Sequence, residues 1–288
     1  MKEKITIIGS EGYLGSYLKP YLKNIGYDIT SISKSNKNAD FTFDVSFFKK
    51  TYETLDSINP EIIINLSGLR SVEECELNPN LAYVGNVKTV EGLTNWIKGK
   101  NCFFIHISTD HVYDKKGPHS EKNVNLINYY AMSKYCGEIV ASTVPSTILR
   151  TNFVGRSKNK SKDSMTDWLF ESIKKKIKIQ VLNDVYFSPL HLSTLSSAIN
   201  QVIKIKKKGI YNLGSKKGIS KADFDIKFAK NLNLSTNLLE SISIDRAKFF
   251  KANRPKDMRL DSSKFERAFN FNLPELDVEI IKSSNEYK

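Results

Sequence analysis

Along the first half of the chain, short apolar runs typical of strands alternate with amphipathic stretches typical of helices. Residues Lys4–Ile8 are β-branched and apolar on both faces, which is typical of a central parallel strand. An amphipathic pattern that predicts a helix follows as far as about Ile25. The same succession continues to Thr151 and predicts a parallel, doubly wound α/β sheet. The further predicted strands span residues 28–33, 41–43, 61–66, 102–108 and 147–151.

Helical patterns connect these strands, and the pattern changes after residue 152. Residues 78–98 are predicted to form one helix with Asn86 at its middle, and residues 126–141 another. Residues 156–163 are polar, lysine-rich and without periodicity, which predicts a loop. The elements predicted beyond it are helices at 165–176, 192–205, 220–231, 262–269 and 275–283 and a strand at 209–213.

The first strand ends in a glycine turn that opens a helix. This order of elements is the context in which a glycine spacing indicates a dinucleotide site. The first glycine permits the tight turn, the second lets the backbone approach the pyrophosphate, and the third lets the helix pack on the strand. The pyrophosphate is then expected at the positive end of the helix. The predicted cofactor contacts in this turn are Gly9, Glu11, Gly12, Tyr13, Leu14 and Gly15.

The end of the second strand bears on the choice of cofactor. NAD-specific folds carry an acidic residue there on the ribose hydroxyls, whereas this chain has Ser33 followed by Lys34. A missing carboxylate and an added cation favour NADPH, and NADH stays the alternative if Lys34 is one more surface lysine. Asn86 could face the cofactor or be an exposed helix residue. The further predicted cofactor contacts are Ser33, Lys34, Asp44, Val45, Leu66, Ser67, Gly68, Asn86, Ser108, Tyr130 and Lys134.

Tyr130 and Lys134 are four residues apart and therefore share one face of a helix. A phenol with a pKa near ~10 exchanges its proton reluctantly at neutral pH. A neighbouring ammonium lowers that pKa, so that the pair can give a proton to a carbonyl oxygen. Thr109 lies at the end of a predicted strand, where open α/β sheets bind ligands, and its hydroxyl can bond the same oxygen. The predicted catalytic residues are Thr109, Tyr130 and Lys134.

The composition and the net charge bear on the class of protein and on its partners. The 288 residues are 40% hydrophobic and 26% charged, as in an ordinary globular protein. The net charge of +13 would suit nucleic acid, but the lysines form short clusters without interleaved aromatic residues. A solvated lysine-rich surface without a nucleic-acid partner is therefore the preferred interpretation. The apolar runs are only as long as strands, so no membrane segment is predicted. The three cysteines do not have the spacing of metal ligands, so no metal site is predicted. We expect them to be reduced thiols of a cytoplasmic protein.

Several motifs together resemble a known family. The glycine turn, the Ser-Thr-Asp segment and the Tyr130–Lys134 pair resemble the extended short-chain dehydrogenase/reductases. Within them, the order of motifs is similar to that of the dTDP-4-dehydrorhamnose reductases. These motifs are ISTDHVYD at 107–114, NYYAMSKYCGE at 128–138, ILRTNFVG at 148–155, Ser188-Pro189 and RPKDMRLDSSK at 254–264.

The resemblance implies a Rossmann-type domain with a smaller C-terminal α/β lobe that binds substrate. The domain would comprise residues 1–151, completed by about 182–208, and the lobe residues 152–181 and 209–288. The implied reaction is NAD(P)H-dependent reduction of a 4-keto group on a nucleotide-diphosphate deoxysugar, in the synthesis of surface polysaccharides. A homodimer is compatible with it.

The resemblance also assigns roles to single residues. Tyr130 would donate the proton, Lys134 would lower the pKa of Tyr130 and bind the nicotinamide ribose, and Thr109 would bind the ketone oxygen. For Trp168, packing in the core of an amphipathic helix is an equal alternative. The implied substrate contacts are Thr109, Asp110, His111, Asn152 and Trp168.

Three departures from the family pattern leave the identity of the sugar open, but not the chemistry. Tyr13 replaces the usual glutamine of the glycine turn, His111 replaces a tyrosine, and Arg70 follows the turn at Gly68. The alternatives to a reductase are a nucleotide-sugar 4-epimerase or 4,6-dehydratase of the same superfamily and a non-catalytic, NADP-binding regulatory subunit. Dehydratases place a second carboxylate after the aspartate that follows the threonine, where this chain has His111.

Overall fold

The computed structural model describes residues 3–35, 37–158 and 164–288. The chain forms two compact units, each built from three segments. Unit 1 contains Met1–Thr109, Asn128–Arg150 and Ser196–Tyr211, and unit 2 contains Asp110–Ile127, Thr151–Leu195 and Asn212–Lys288.

Strands occur throughout the described part of the chain. In chain order they are β1 (Lys4–Ile8), β2 (Asp28–Ser33), β3 (Phe41–Thr42), β4 (Ile62–Asn65), β5 (Phe103–Thr109), β6 (Ser146–Thr151), β7 (Phe153–Val154), β8 (Ile179–Leu182), β9 (Tyr186–Phe187), β10 (Leu190–His191), β11 (Gly209–Leu213), β12 (Ile219–Ser220) and β13 (Leu239–Ile242).

The helices alternate with the strands. They are α1 (Gly15–Asn24), α2 (Phe48–Ile58), α3 (Val72–Leu77), α4 (Pro79–Tyr83), α5 (Thr89–Ile97), α6 (Tyr129–Ala141), α7 (Met165–Lys174), α8 (Leu192–Ile205), α9 (Lys221–Asn231), α10 (Ser263–Phe269) and α11 (Leu276–Asn285), with a π-helical turn at Val84–Lys88 and 3₁₀ turns at Asp110–Val112 and Ile244–Arg246. Among the described residues, no helix combines the length and the apolar character that a membrane span requires.

Unit 1 is organised around a seven-stranded sheet. Its strand order is β11-β6-β5-β4-β1-β2-β3, and the neighbours from β5 to β3 pair in parallel. The chain runs outward from β1 in both directions, which is the doubly wound order. Every residue of β4 and β5 is buried, as expected of central strands covered by helices on both faces. The predicted fold class is therefore confirmed.

Unit 2 is held together by short strand pairs and a separate core. Strands β7 and β10 pair in parallel, as do β8 and β13, whereas β9 and β12 are antiparallel. Its core is rich in aromatic rings: the centroids of Phe187 and Phe224 are 5.3 Å apart at an interplanar angle of 63°. Edge-on packing of this kind adds to the free energy gained from burying the rings.

Most predicted elements are present, and the largest differences have local causes. Helix α6 begins at Tyr129 instead of residue 126 because the side chain of Asn128 accepts a hydrogen bond from Ala131 N at 2.8 Å and caps it. The single helix predicted over 78–98 is interrupted by the π-helical turn. Helix α2 was not predicted; its buried face combines Thr51 and Thr54 with Leu55. Of the loop predicted at 156–163, residues 159–163 lie outside the described residues.

The two units differ from the predicted division at Thr151, which belongs to unit 2, and in three longer segments. Residues 110–127 and 182–195 belong to unit 2, and residues 209–211 belong to unit 1. The first of these segments is tied to later parts of unit 2. Tyr113 donates a hydrogen bond to Asn212 Oδ1 at 2.7 Å, and His119 Nε2 lies 2.8 Å from Asp257 O.

Helix α6 lies unusually close to the π-helical turn. A Cβ atom at Gly137 would stand 2.4 Å from the backbone oxygen of Asn86, a distance that real Cβ atoms do not show. The absence of a side chain at Gly137 therefore allows the helix to approach this backbone.

We expect Gly137→Ala to lower the free energy of unfolding by about 1–3 kcal/mol, because the added methyl forces two backbones apart. Chemical denaturation followed by circular dichroism would measure the loss. Gly85→Ala is the matched control: its Cβ would be 3.3 Å from Leu69 Cβ, and the better helix propensity of alanine should keep the change within about 0.5 kcal/mol. Equal effects of the two substitutions would contradict the packing argument.

Candidate active site

The glycine turn and the turn after β4 lie against each other in unit 1. Gly9 has a φ of 80°, and a Cβ there would be 3.0 Å from both Leu66 C and Ser67 N. A Cβ at Gly15, where α1 begins, would be 2.4 Å from Ser10 O. Only glycine satisfies these approaches, and the positive end of α1 starts at this turn. The turn thus has the shape and the polarity that a pyrophosphate requires.

The other predicted residues of the glycine turn are engaged locally. Glu11 forms an ion pair with Lys19 of α1, with 2.7 Å between Oε1 and Nζ. The backbone oxygen of Tyr13 accepts a hydrogen bond from the Ser16 hydroxyl at 3.0 Å, and Leu14 is buried. The carboxylate of Glu11 is therefore partly neutralised where an anion is predicted to bind.

The structure joins two residues that were predicted separately as cofactor contacts. Lys34 Nζ lies 2.8 Å from Asp44 Oδ2, while the Lys34 side chain remains 77% exposed. Although burial acts to raise it, hydrogen bonds from Lys34 and Ser46 lower the pKa of the Asp44 carboxyl. Ser33 is buried next to this pair, and Val45 O accepts a hydrogen bond from Thr51 at 3.0 Å.

Asn86 is buried and holds the turn that follows β4. It is 1% exposed, so the interpretation as an exposed helix residue is wrong. Its Oδ1 accepts from Leu69 N at 2.8 Å, and its Nδ2 donates to Leu69 O at 3.0 Å and to Ser133 Oγ at 2.9 Å. Gly68 packs against it, since a Cβ there would be 2.6 Å from Asn86 Oδ1. The side chain therefore acts on the shape of the turn at 66–68.

Asn65, at the start of this turn, was not among the predicted contacts. Its Oδ1 accepts from Ser67 N at 3.1 Å and from the Ser67 hydroxyl, and its Nδ2 lies 3.2 Å from His106 Nδ1. The available signal was a polar residue at the end of the apolar strand β4.

The predicted catalytic residues Tyr130 and Lys134 form what we call the catalytic face of α6. Tyr130 is half-buried and Lys134 is 7% exposed. Lys134 Nζ donates to the backbone oxygen of Ile107 in β5 at 2.7 Å. Thr109 ends the same strand two residues later and is buried. The turn at Gly68 is also adjacent, since a Cβ there would be 3.9 Å from Lys134 Nζ.

Burial changes the proton affinity of Lys134. Burial lowers the pKa of the ammonium group to about 8, and the charge of Glu138 opposes this effect more than the Cys75 thiol does. Below that value Lys134 is charged, and its ammonium can stabilise a neighbouring phenolate.

Ser108, a predicted cofactor contact, donates its hydroxyl to Glu138 Oε1 in the interior of unit 1. Glu138 is in turn bound by Arg150, and both side chains are almost completely buried. The role of Glu138 was not predicted from the sequence, because the partners of its carboxylate come from distant segments of the chain.

The predicted substrate contacts other than Thr109 belong to unit 2. Asn152 Nδ2 donates to Asp110 Oδ2 at 2.7 Å. Burial, together with the charges of Lys221 and Arg254, lowers the pKa of His111 to about 3. Trp168 is 45% exposed on α7, so the alternative that it packs in the core is wrong.

Unit 2 also contains a cavity of about 430 Å³. Arg254 and Phe250 are in its wall, with the guanidinium carbon 4.5 Å from the ring centroid. Charged side chains of both signs complete the lining, among them Lys251, Asp114 and Asp245. A cation beside an aromatic ring can bind a phosphate next to a planar base. Within the described ranges, no three His, Cys, Asp or Glu side chains are grouped so that they could hold a metal ion.

Comparisons with known proteins found similar sequences and similar structures. The chain is 25% identical to dTDP-4-dehydrorhamnose reductase from Salmonella typhimurium over 296 residues, which covers 98% of this chain and 97% of that protein. The structure of dTDP-4-dehydrorhamnose reductase from Bacillus anthracis in complex with NADP has a TM-score of 0.89 and 24% identity, and it covers 99% of this chain and all of that one.

The fold is shared more widely. The structure of dTDP-glucose 4,6-dehydratase from Bacillus anthracis in complex with NAD has a TM-score of 0.82 at 15% identity, with 99% of this chain and 96% of that one covered. The family model described as the RmlD substrate binding domain matches residues 3–288. Because this match spans nearly the whole sequence, the chain belongs to the RmlD substrate-binding-domain family, and the resemblance read from its motifs is confirmed.

Proposed function

We propose that this protein is an NADPH-dependent reductase that converts the 4-keto group of a nucleotide-activated deoxysugar into an alcohol. The observation that carries the proposal is the catalytic face of α6, with Lys134 bound to the β5 backbone beside Thr109. A role in the synthesis of surface polysaccharides follows from the substrate class. A homodimer and a cytoplasmic location stay predictions.

The residues of unit 1 fit a dinucleotide. The close approaches at Gly9 and Gly15 leave the backbone of the turn uncovered, as binding of a pyrophosphate requires. Asp44 and Val45 would lie beside the adenine, and the turn at 66–68 beside the nicotinamide half. When bound, NADPH supplies the hydride for the carbonyl carbon.

Tyr130 gives its phenolic proton to the carbonyl oxygen, which becomes the hydroxyl of the product. The Lys134 ammonium stabilises the phenolate that remains, and the tyrosine regains a proton from solvent. The Thr109 hydroxyl donates a hydrogen bond to the same oxygen and thereby fixes its orientation. In this scheme the carbonyl carbon gains one hydride and the oxygen one proton, so atoms and charges balance.

The cavity of unit 2 suits the nucleotide part of the substrate. Arg254 and Lys251 can neutralise a diphosphate, and Phe250 offers an aromatic face to a base. Asp110, His111, Asn152 and Trp168 are the proposed contacts to the rest of the substrate.

The chemistry of unit 2 argues against a dehydratase. Elimination of water needs a base and an acid in addition to the tyrosine. With its pKa lowered to about 3, His111 is a weak base at neutral pH and replaces the second carboxylate poorly. A purely regulatory subunit would have no use for the set of Thr109, Tyr130 and Lys134.

The first prediction concerns the proton donor. Tyr130→Phe removes the phenolic proton, and we expect turnover to fall by about 10²–10⁴-fold while NADPH affinity changes little. Steady-state NADPH oxidation and a fluorescence titration would measure the two quantities. Tyr129→Phe is the matched control, because it removes the same hydroxyl from a 45% exposed neighbour on the same helix and should leave turnover unchanged. Near-normal turnover of Tyr130→Phe would refute the assignment.

The second prediction concerns the cofactor. If Lys34 contacts a 2′-phosphate, NADPH binds more tightly than NADH, since such a charge-assisted contact contributes about 1.5–3 kcal/mol. Lys34→Asp should abolish or reverse this preference in affinity measurements with both cofactors. Lys100→Asp removes a lysine from another exposed ion pair, with Asp56, and serves as the control. Equal affinities in the unmodified protein would rule out the NADPH preference.

The third prediction separates reductase from dehydratase. The protein should oxidise one NADPH for each 4-keto-6-deoxy nucleotide sugar consumed and should eliminate no water from the corresponding nucleotide hexose. Mass spectrometry of the products, together with absorbance at the NADPH band, would decide between them. Loss of water from the hexose without net oxidation of cofactor would establish the alternative.

A further inference from the structure

Three charged side chains are buried together in unit 1, behind the catalytic face of α6. Glu138 is fully buried and Arg150 is 1% exposed. Arg150 Nη2 donates to Glu138 Oε2 at 2.6 Å, and Arg150 Nε lies 3.0 Å from both carboxylate oxygens. Lys134 is the third charge, one helical turn before Glu138. Burying a charge away from water costs free energy unless it is paired, so each of these three groups depends on its partners.

We propose that Glu138 is a positioning residue that fixes the end of β5 against the catalytic face of α6. The inference rests on the proposed reductase function. It assigns no contact with substrate or cofactor to Glu138 and attributes its effect to the residues that it holds.

The geometry ties three successive residues of β5 to the helix or to the reaction. The oxygen of Ile107 accepts from Lys134, and the hydroxyl of Ser108 donates to Glu138. The next residue, Thr109, is the proposed partner of the ketone oxygen. Residues 134 and 138 thus hold the strand at two adjacent points, and Thr109 is placed by both.

Arg150 extends the same connection to a second strand. It lies on β6, which neighbours β5 in the sheet, and its guanidinium contacts both oxygens of Glu138. The carboxylate therefore joins one helix to two strands. Paired contacts of this type restrict orientation more than a single hydrogen bond does.

Glu138 also bears on the charge of Lys134. Its carboxylate favours the ammonium form and opposes the effect of burial. Two other groups face Lys134 from neighbouring elements: Cys75 in α3 and His106 in β5. Burial raises the pKa of the Cys75 thiol to about 11, and burial and the charge of Lys134 lower the pKa of His106 far below its usual range. Both are neutral near pH 7 and cannot replace the charge of Glu138.

The test uses the dependence of kcat/KM on pH. In the unmodified enzyme Lys134 is charged below its pKa of about 8, so activity should fall as pH rises through that value. Glu138→Gln keeps the shape of the side chain and removes the charge that favours the ammonium. The fall in activity should then occur about one pH unit lower. A folded Glu138→Gln enzyme with unchanged turnover and an unchanged alkaline limb would overturn the inference.

Glu279→Gln is the matched control. Glu279 in unit 2 is also fully buried, and it accepts hydrogen bonds from His191 N at 2.7 Å and Thr194 Oγ1 at 3.0 Å. Its replacement should cost stability, as seen in the melting temperature, but should leave the alkaline limb in place. A shift of the same size in both variants would mean that a general loss of stability, and not Glu138, moves the profile.

Ser108→Ala tests the positioning without changing a charge, and it decides the question if Glu138→Gln does not fold. It removes the hydrogen bond between β5 and Glu138. Turnover should fall about tenfold through misplacement of Thr109, with the alkaline limb unchanged. Unaltered turnover would contradict the positioning role.

A binding measurement separates this inference from the proposed function. If no 4-keto nucleotide sugar is reduced, the proposed function fails, and NADPH affinity is then measured against pH. Glu138→Gln should lose affinity at a lower pH than the unmodified protein, because Lys134 is the proposed ribose contact. Coinciding affinity profiles, or a lack of NADPH binding, would overturn the inference as well.

Discussion

The buried ammonium of Lys134 is the interaction on which the arrangement of unit 1 depends. A charge with 7% exposure needs polar partners, and the protein supplies them from several elements. The backbone oxygen of Ile107 accepts one hydrogen bond, and the carboxylate of Glu138 lies one helical turn away. Helix α6 must therefore pack close to the end of β5. On its way it also passes close to the π-helical turn, and the absence of a side chain at Gly137 permits that second contact.

The same requirement explains the polar residues inside an otherwise apolar sheet. Asn65 and His106 are buried in neighbouring strands and lie within hydrogen-bonding distance of each other, and Asn86 binds the backbone of Leu69. Asn65 accepts a hydrogen bond from Ser67 N, so this side chain and Asn86 both hold the backbone that follows β4. Since buried polar groups are costly when unpaired, such a network fixes one arrangement of the site.

Unit 2 combines a core of aromatic rings with buried charges of its own. Burial raises the pKa of Asp225 to about 7, with the charge of Lys221 opposing it, and the same effect keeps His111 neutral. Among them, Lys221 interacts electrostatically with Asp110. His111, the next residue along the chain, is a weak base at neutral pH, which suits reduction better than elimination.

The sequence by itself determined the features that depend on local spacing. The glycine turn, the order of the strands and the separation of Tyr130 from Lys134 follow from periodicities of a strand or a helix, which neighbouring residues fix. Family membership followed from motifs of the same local kind. The tertiary structure alone decided which distant residues meet: Lys34 with Asp44, Asn65 with His106, and Glu138 with Ser108 and Arg150. These contacts join segments through packing of the whole sheet, and no periodicity along the chain encodes them. Helix α2 and the buried position of Asn86 escaped prediction for the same reason, because burial of a polar residue depends on the partners that packing brings to it.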